Sequence, residues 1–211
     1  LEYFIIDDGI LWAAIYNVLK EKVKEGVEVR ILYDDLGSII TVPNNFVRQL
    51  ESDGIKVTAF NPVHKYVSRF NLNYRNHQKI VVIDGNIGYT GGTNLADEYA
   101  NIYEKHGHWK DNAIRLEGQA VWSLTLTFLQ MWQSERLIEE DYSKYKPTVK
   151  INGDGFYQPF NCSPITFKNT AEIMYRQMIS SAKKYVYITT PYLVIDDSMA
   201  NELCLAALTG I

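Results

Sequence analysis

The sequence contains little cysteine and no long apolar run. Only Cys162 and Cys204 occur among its 211 residues, too few for a disulfide framework or a zinc site built from thiolates. We expect both thiols to be reduced and at least half buried. No apolar run reaches the length of a membrane span. The chain also lacks an initiator methionine and opens in a predicted strand, so we expect a fragment of a longer protein.

The sequence also lacks an excess of positive charge. Its formal net charge is −4, which argues against the broad basic surface of non-specific nucleic-acid binders, and no nucleic-acid partner is expected. One stretch differs, because no acidic residue occurs between Asp53 and Asp84. Its basic and aromatic side chains are Lys56, Phe60, His64, Lys65, Tyr66, Arg69, Phe70, Tyr74, Arg75, His77 and Lys79. This is typical of a solvated loop or of a local anion funnel, and we favour the funnel because it ends at His77.

A β-hairpin is predicted over residues 76–94. Ile80–Ile83 is a continuous run of β-branched residues, which predicts a central strand buried on both faces. Asp84-Gly85 is a strong turn signal, and residues 87–90 form the predicted returning strand. With these two residues at the centre of the turn, Ile83 lies opposite Asn86.

The hairpin gathers groups that suit a phosphate. His77 and Lys79 share one face of the strand, about 6.6 Å apart, so an imidazole and an ammonium project together. The returning strand brings Gly91 and Gly92 alongside them, and glycines let backbone N–H groups approach a ligand closely. A helix predicted from Asn94 to about residue 103 points its positive end at the same place.

Six residues occur at the fixed spacing His77-x-Lys79-x4-Asp84-x6-Gly91-Gly92-x-Asn94. This pattern resembles the HKD signature of the phospholipase D superfamily at every defined position. Within that superfamily, residues 74–89 and Trp109-Lys110-Asp111 are similar to bacterial cardiolipin synthases. The similarity extends over essentially the whole chain, and it implies two halves that each carry an HKD motif.

The resemblance implies a chemical role for His77. It attacks the phosphorus to form a phosphohistidine, or it protonates the leaving alcohol. The alternative is a core histidine with both ring nitrogens satisfied. We expect Lys79, Asn94 and Arg75 to contact the phosphate, although Lys79 also fits a surface lysine. Asn94 also fits a helix N-cap, which does not exclude a contact with phosphate.

Asp111 is the expected partner that fixes the tautomer of His77. It lies in a strand predicted over residues 109–116, at a position that resembles the family's Trp-Arg-Asp stretch, with lysine in place of arginine. Glu98 and Glu104 are the alternatives.

The remaining motif residues are expected to be structural. Asp84 suits the turn, and Gly91 and Gly92 suit close backbone approach. His106 and His108 suggest a metal pair, but no carboxylate or cysteine lies at ligand spacing, so a polar loop is predicted. No metal or other cofactor is expected.

The order of the predicted elements indicates an α/β fold. A strand over residues 2–6, a helix capped by Asp7-Asp8 and a strand over residues 27–33 form a βαβ unit with parallel strands. Further helices are predicted near residues 43–52 and 119–136. The resemblance implies a phospholipase D-like mixed β-sheet sandwiched between helices, followed by the opening elements of a second copy.

The chain is expected to contain two domains. Residues 1–138 form the first phospholipase D-like domain without its N-terminal helix, and residues 139–168 form a linker by composition. Residues 169–211 begin a second such domain that ends before its HKD motif. A strand is predicted over residues 185–190, and residues 191–197 then repeat the pattern that opens the chain.

The resemblance implies that the parent protein transfers a phosphatidyl group between two phosphatidylglycerol molecules, giving cardiolipin and glycerol. The alternatives are another phosphodiesterase of the superfamily, a phospholipase D or a nuclease that uses water, and a non-catalytic phospholipid-binding module. The expected partners are an anionic phospholipid, a membrane surface reached through the full-length parent, and a second HKD half in cis or a homodimer. We expect the parent at the bacterial cytoplasmic membrane, and the isolated fragment to be soluble and inactive.

Overall fold

The structure of the chain is a computed structural model. It describes residues 1–63, 73–153, 155–163, 169–190 and 192–211. These residues form two compact units, Leu1–Phe160 and Asn161–Ile211. The division between the units falls inside the stretch predicted as a linker. The predicted basic loop before His77 lies partly outside the described residues, at 64–72.

The first unit is built on one mixed six-stranded sheet. Its strands are β1 (Glu2–Tyr3), β2 (Arg30–Asp34), β3 (Lys56–Phe60), β4 (Ile80–Ile83), β5 (Ile87–Gly91) and β6 (Ala113–Glu117). They are ordered β3-β2-β1-β4-β5-β6. The first three strands are parallel, and β4 to β6 are antiparallel to their neighbours. The predicted fold class is therefore confirmed. β4 is central as predicted, but Ile83 is 46% exposed, so the strand is not buried throughout.

Helices pack on both faces of this sheet. They are α1 (Ile10–Lys24), α2 (Asp35–Ser38), α3 (Phe46–Ser52) and α4 (Val121–Arg136), with 3₁₀ turns at Asp97–Ala100, Gly118–Ala120 and Tyr142–Tyr145. Successive side chains of a strand point to opposite faces. Ile31 of β2 therefore packs with α1 and α3, whereas Leu32 packs with α4. The apolar area buried on each face holds the helices to the sheet.

The hairpin turn forms where the sequence predicts it, but the strands pair one residue out of the predicted register. The central aspartate and glycine have positive φ of 53° and 66°, and the N–H of Asn86 donates to the carbonyl of Ile83 at 3.0 Å. In the ladder, Ile83 pairs with Ile87 instead of Asn86. Asn86 leaves the ladder because its side-chain oxygen accepts the N–H groups of Thr148 and Val149.

The helix predicted from Asn94 does not form, and only a 3₁₀ turn is present, at Asp97–Ala100. The expected helix dipole at the site is therefore wrong. Asp97 instead caps α1, where its carboxylate accepts the N–H groups of Ile10 at 2.9 Å and Leu11 at 2.7 Å. Asp7-Asp8 does not provide the predicted cap, since the N-cap position is the next residue, a glycine without a side-chain bond. A distant part of the chain thus stabilises the start of α1.

The second unit contains α5 (Thr170–Ser181) and α6 (Asp197–Leu208). The strand predicted over residues 185–190 is absent there, because a strand requires a hydrogen-bonded neighbour. Cys162 and Cys204 are both exposed, contrary to the prediction, because two helices enclose little core. That residues 169–211 begin a second copy of the fold stays a prediction.

Candidate active site

The predicted site lies at one edge of the sheet. The parallel strands β1, β2 and β3 all end at this edge, and β4 runs in the opposite direction and begins there. His77 and Lys79 directly precede β4, which starts at Ile80. The chain that leaves β1 brings the ring of Phe4 against the imidazole of His77, with 4.6 Å between the ring centroids.

His77 and Lys79 contact each other. Lys79 Nζ donates to the backbone carbonyl of His77 at 2.7 Å and lies 3.2 Å from Nδ1 of its ring. Because an ammonium can only donate, Nδ1 accepts and the ring proton lies on Nε2. The ammonium also lies 5.4 Å from the centroid of the Phe4 ring, a cation–π contact that stabilises it.

Burial sets the charges of this pair. Desolvation lowers the pKa of Lys79 to about 8, and the nearby carboxylate of Asp111 opposes this shift. Desolvation, followed by the charge of Lys79, lowers the pKa of His77 from its ordinary value of 6.5. At neutral pH Lys79 is therefore cationic and His77 neutral. These are the protonation states that a phosphate clamp and a nucleophile require.

A buried polar network holds the segment before His77. The Nδ2 of Asn76 donates to Glu2 at 2.6 Å, and its backbone N–H donates to Asp34 at 2.8 Å. Its Oδ1 accepts the N–H of Gln78 at 3.1 Å. Glu2 and Asp34 are both 0% exposed. The backbone on either side of His77 is thus tied to β1 and β2.

Arg75 belongs to this scaffold. Its guanidinium contacts Asp34 at 3.3 Å and donates to the carbonyls of Asn61 at 3.0 Å and Tyr74 at 2.8 Å. A buried carboxylate such as that of Asp34 needs a compensating charge, which Arg75 provides. Arg75 thus stabilises the scaffold, and its predicted contact with phosphate stays a prediction.

Asn94 joins the end of the hairpin to the segment beside His77. It is 3% exposed, and its Oδ1 accepts the N–H of Ile5 at 3.1 Å. The next residue, Leu95, forms a parallel bridge with Ile6. Asn94 is thus not the predicted helix N-cap, and its contact with phosphate stays a prediction.

Asp111 lies in the loop before β6 and not within a strand. Its Oδ2 accepts the indole N–H of Trp109 at 3.2 Å. The carboxylate lies against Gly92, and its charge acts on the pKa of Lys79. Among the contacts of the described residues, none joins Asp111 to His77. The charge of Asp111 thus acts on the ammonium of the pair, and its predicted role in fixing the tautomer of His77 stays a prediction.

The two alternatives to Asp111 are no better placed. Glu98 is buried and accepts hydrogen bonds from Lys105 at 3.0 Å and Tyr103 at 3.3 Å. Glu104 is exposed. Neither carboxylate has a contact with His77 in the described part of the chain.

Gly91 and Gly92 are required for close packing. A Cβ atom at Gly91 would lie 2.9 Å from the Cα of Ala113, and one at Gly92 would lie 2.8 Å from Oδ2 of Asp111. Real Cβ atoms do not come this close to other heavy atoms. The glycines thus let β5 approach the segment that carries Asp111.

Two other kinds of feature are absent from the part of the chain that the structure describes. No group of three or more histidine, cysteine, aspartate or glutamate side chains is placed to hold a metal ion. His106 and His108 are exposed. No described helix has both the length and the apolar character needed to cross a bilayer.

Four residues belong to the site although they were not predicted from the sequence: Glu2, Phe4, Asp34 and Asn76. Glu2 is recognisable in the sequence as an ionisable residue in an otherwise apolar strand. Such a residue is rarely fully buried without a partner, so its position indicates a polar network. Asp34 ends a buried strand at the site edge, which is a weaker signal. Phe4 carried none, since aromatic residues are common in strands.

The family described as "Cardiolipin synthase, PLD-like domain" matches residues 3–132. An uncharacterized protein of Streptococcus mutans is 42% identical over 216 residues, which cover 100% of this chain and 46% of that protein. Cardiolipin synthase 2 of Bacillus cereus is 39% identical over 216 residues, covering 100% of this chain and 41% of that enzyme. The chain thus spans less than half the length of these curated relatives.

Among solved structures, NucT from Helicobacter pylori is similar with a TM-score of 0.46 and 16% sequence identity. The similarity covers 63% of this chain and 77% of that protein.

Proposed function

Since the chain belongs to the family of cardiolipin synthase, PLD-like domains, we propose that it is part of a phosphatidyltransferase. In this proposal the complete protein joins two phosphatidylglycerol molecules into cardiolipin and releases glycerol. The reaction proceeds in two displacements at phosphorus, with a phosphohistidine between them. The observation that carries the proposal is the His77–Lys79 pair, a neutral imidazole within 3.2 Å of an ammonium.

The pair supplies the parts of the first displacement. A phosphate oxygen that binds Lys79 competes with Nδ1 of His77 for the ammonium. Once the ammonium turns to the phosphate, Nδ1 can carry the ring proton and Nε2 becomes free to attack. A P–N bond then forms, the P–O bond to glycerol breaks, and Lys79 stabilises the charge on the phosphoryl oxygens.

The leaving glycerol oxygen needs a proton from an acid on the side opposite His77, because displacement at phosphorus is in line. One histidine cannot occupy both positions in the same step. We therefore assign the acid to a second HKD histidine, from another half of the complete protein or from a second copy of this chain. In the second displacement the hydroxyl of another phosphatidylglycerol attacks phosphohistidine and gives its proton to the second histidine, which lost one in the first displacement. A new P–O bond forms, the P–N bond breaks, and His77 is restored.

The pH dependence follows from the protonation states. The reaction requires His77 without its second proton, and its pKa is lowered by burial. It also requires Lys79 with its proton, and that pKa is about 8. The rate should rise with pH as His77 becomes neutral, and should fall as pH passes about 8.

The decisive experiment gives the complete protein labelled phosphatidylglycerol and identifies the products by mass. We expect cardiolipin and glycerol, and a loss of turnover in His77→Ala. Acid-quenched and base-quenched samples should contain an acid-labile, base-stable phosphoryl group on His77. Phosphatidic acid as the main product would establish water as the acceptor. Lipid binding without turnover would leave only a binding module.

The chain itself provides a second test, because it contains a single HKD motif. We expect a monomer of this chain to turn over no lipid. Weak activity that increases with protein concentration and disappears in His77→Ala would support a dimer in which two copies of His77 face each other. Full activity from a chain shown to be monomeric would contradict the two-histidine mechanism.

A further inference from the structure

Glu2 is a carboxylic acid at the centre of the sheet. It lies in β1 opposite Leu32 of β2 and Ile80 of β4. Paired residues of neighbouring strands point to the same face, so its side chain lies between the apolar clusters to which Leu32 and Ile80 belong. Glu2 is 0% exposed. An ionised carboxylate in such a place loses its hydration, which costs free energy.

The carboxyl group has one partner. Its Oε1 accepts a hydrogen bond from Nδ2 of Asn76 at 2.6 Å. Its Oε2 is buried and has no hydrogen-bond partner among the described residues. Asn76 is the residue immediately before His77. The same asparagine is bonded to Asp34 and Gln78, so any movement of Asn76 changes the backbone on both sides of the imidazole.

We propose that Glu2 is a positioning residue that acts through Asn76 and keeps His77 in place beside Lys79. It does not touch the phosphate. This inference rests on the proposed function only in taking His77 as the reacting group, and its placement can be measured without any lipid. Ionisation of Glu2 introduces a negative charge behind the site and strengthens the hydrogen bond that Asn76 donates, so the position of His77 should change with the charge of Glu2.

The groups around Glu2 favour the protonated form. Desolvation raises its pKa to about 7, and the hydrogen bond from Asn76 and the charge of the Leu1 amino group only partly oppose this shift. The residues that α4 buries are apolar apart from one threonine. The charge that acts on Glu2 is the amino group of Leu1. Asp34 shares Asn76 with Glu2 and is itself bonded to Arg75, and Lys79 is bonded to His77.

The sign of the pH effect follows from the raised pKa of Glu2. The folded state binds its proton more tightly than the unfolded state does, for which the ordinary value is 4.5. The resulting stability is complete below pH 4.5 and is lost as pH rises through about 7. The amino group of Leu1, whose pKa is lowered to about 5, titrates in the same range with the opposite sign, so the effect of Glu2 is read as a difference between variants. Relative to Glu2→Gln, which is neutral at this position at every pH, the melting temperature of the wild-type chain should fall across this window.

NMR of the His77 ring in the intact chain tests the placement. The resonance is assigned by its loss in His77→Ala, since the sequence has 4 histidines. We expect it to show its own titration and a second inflection near pH 7, caused by Glu2. Glu2→Gln should keep the low-pH resonance position and lose the second inflection. Glu2→Leu, which gives Asn76 no acceptor, should shift the resonance at all pH values.

A matched control is Ile31→Val, a substitution at another residue that is 0% exposed but packs on the opposite face of the sheet. It should leave the resonance of His77 unchanged. A second inflection that persists in Glu2→Gln overturns the proposal, as does an unshifted His77 in folded Glu2→Leu. If Glu2→Leu does not fold, Glu2→Gln alone decides. Lipid turnover has no part in this result, so a failure of the proposed reaction is recognised separately.

Discussion

The cap of α1 by Asp97 gives a sharp prediction about stability. Replacing Asp97 by alanine removes the acceptor of two backbone N–H groups, those of Ile10 at 2.9 Å and Leu11 at 2.7 Å. It also leaves the positive end of α1 without its carboxylate. Gly9, at the N-cap position, has no side chain that could replace this acceptor.

The size of the effect follows from the charge and burial of the acceptor. Asp97 is 8% exposed, and a hydrogen bond to a charged group contributes about 1.5–3 kcal/mol. Water can solvate part of the opened helix end, because Ile10 is 65% exposed. We therefore expect Asp97→Ala to lower the free energy of unfolding by about 3 kcal/mol. With an m value of about 2 kcal/mol per molar urea, the midpoint falls by about 1.5 M.

Urea unfolding monitored by circular dichroism measures the loss, and hydrogen exchange at the amides of Ile10 and Leu11 locates it. Asp8→Ala is the matched control, because its exposed side chain lies beside the helix start without capping it. It should stay within about 0.5 kcal/mol of wild type. Gly9→Ala should reproduce part of the effect, since its Cβ would lie 2.6 Å from Cγ of Asp97. Equal losses in Asp97→Ala and Asp8→Ala would refute the reasoning.

Two further substitutions test the geometry of the site. Lys79→Met removes a charge that lowers the pKa of His77, so the NMR titration of His77 should move to higher pH. An unchanged or lower pKa of His77 would mean that the two side chains do not contact each other. Gly92→Ala should lower the melting temperature and displace Asp111, because its Cβ would lie 2.8 Å from that carboxylate. Gly153→Ala is its control, since nothing lies within 4 Å of a Cβ there, and equal melting temperatures for both variants would contradict the packing.

Several features of the fold follow from the sequence alone. The β-branched run Ile80–Ile83 and the Asp84-Gly85 pair define a strand and its turn through local conformational preference, and both lie where predicted. His77 and Lys79 are two positions apart just before that strand. Residues at this spacing in an extended segment project from the same face, so the two side chains lie next to each other. A strand, a helix and a strand in succession also indicate parallel pairing, as β1 and β2 show.

Other features depend on residues that are far apart in sequence, and only the tertiary structure decides them. The ladder shifts by one residue because Asn86 binds Thr148, and α1 takes its cap from Asp97, which lies 87 positions from Ile10. Glu2 is buried because helices and strands close around it, and no local pattern specifies that. Short-range preferences fix the elements and the reacting pair, whereas long-range hydrogen bonds and burial fix the register, the caps and the charges around His77.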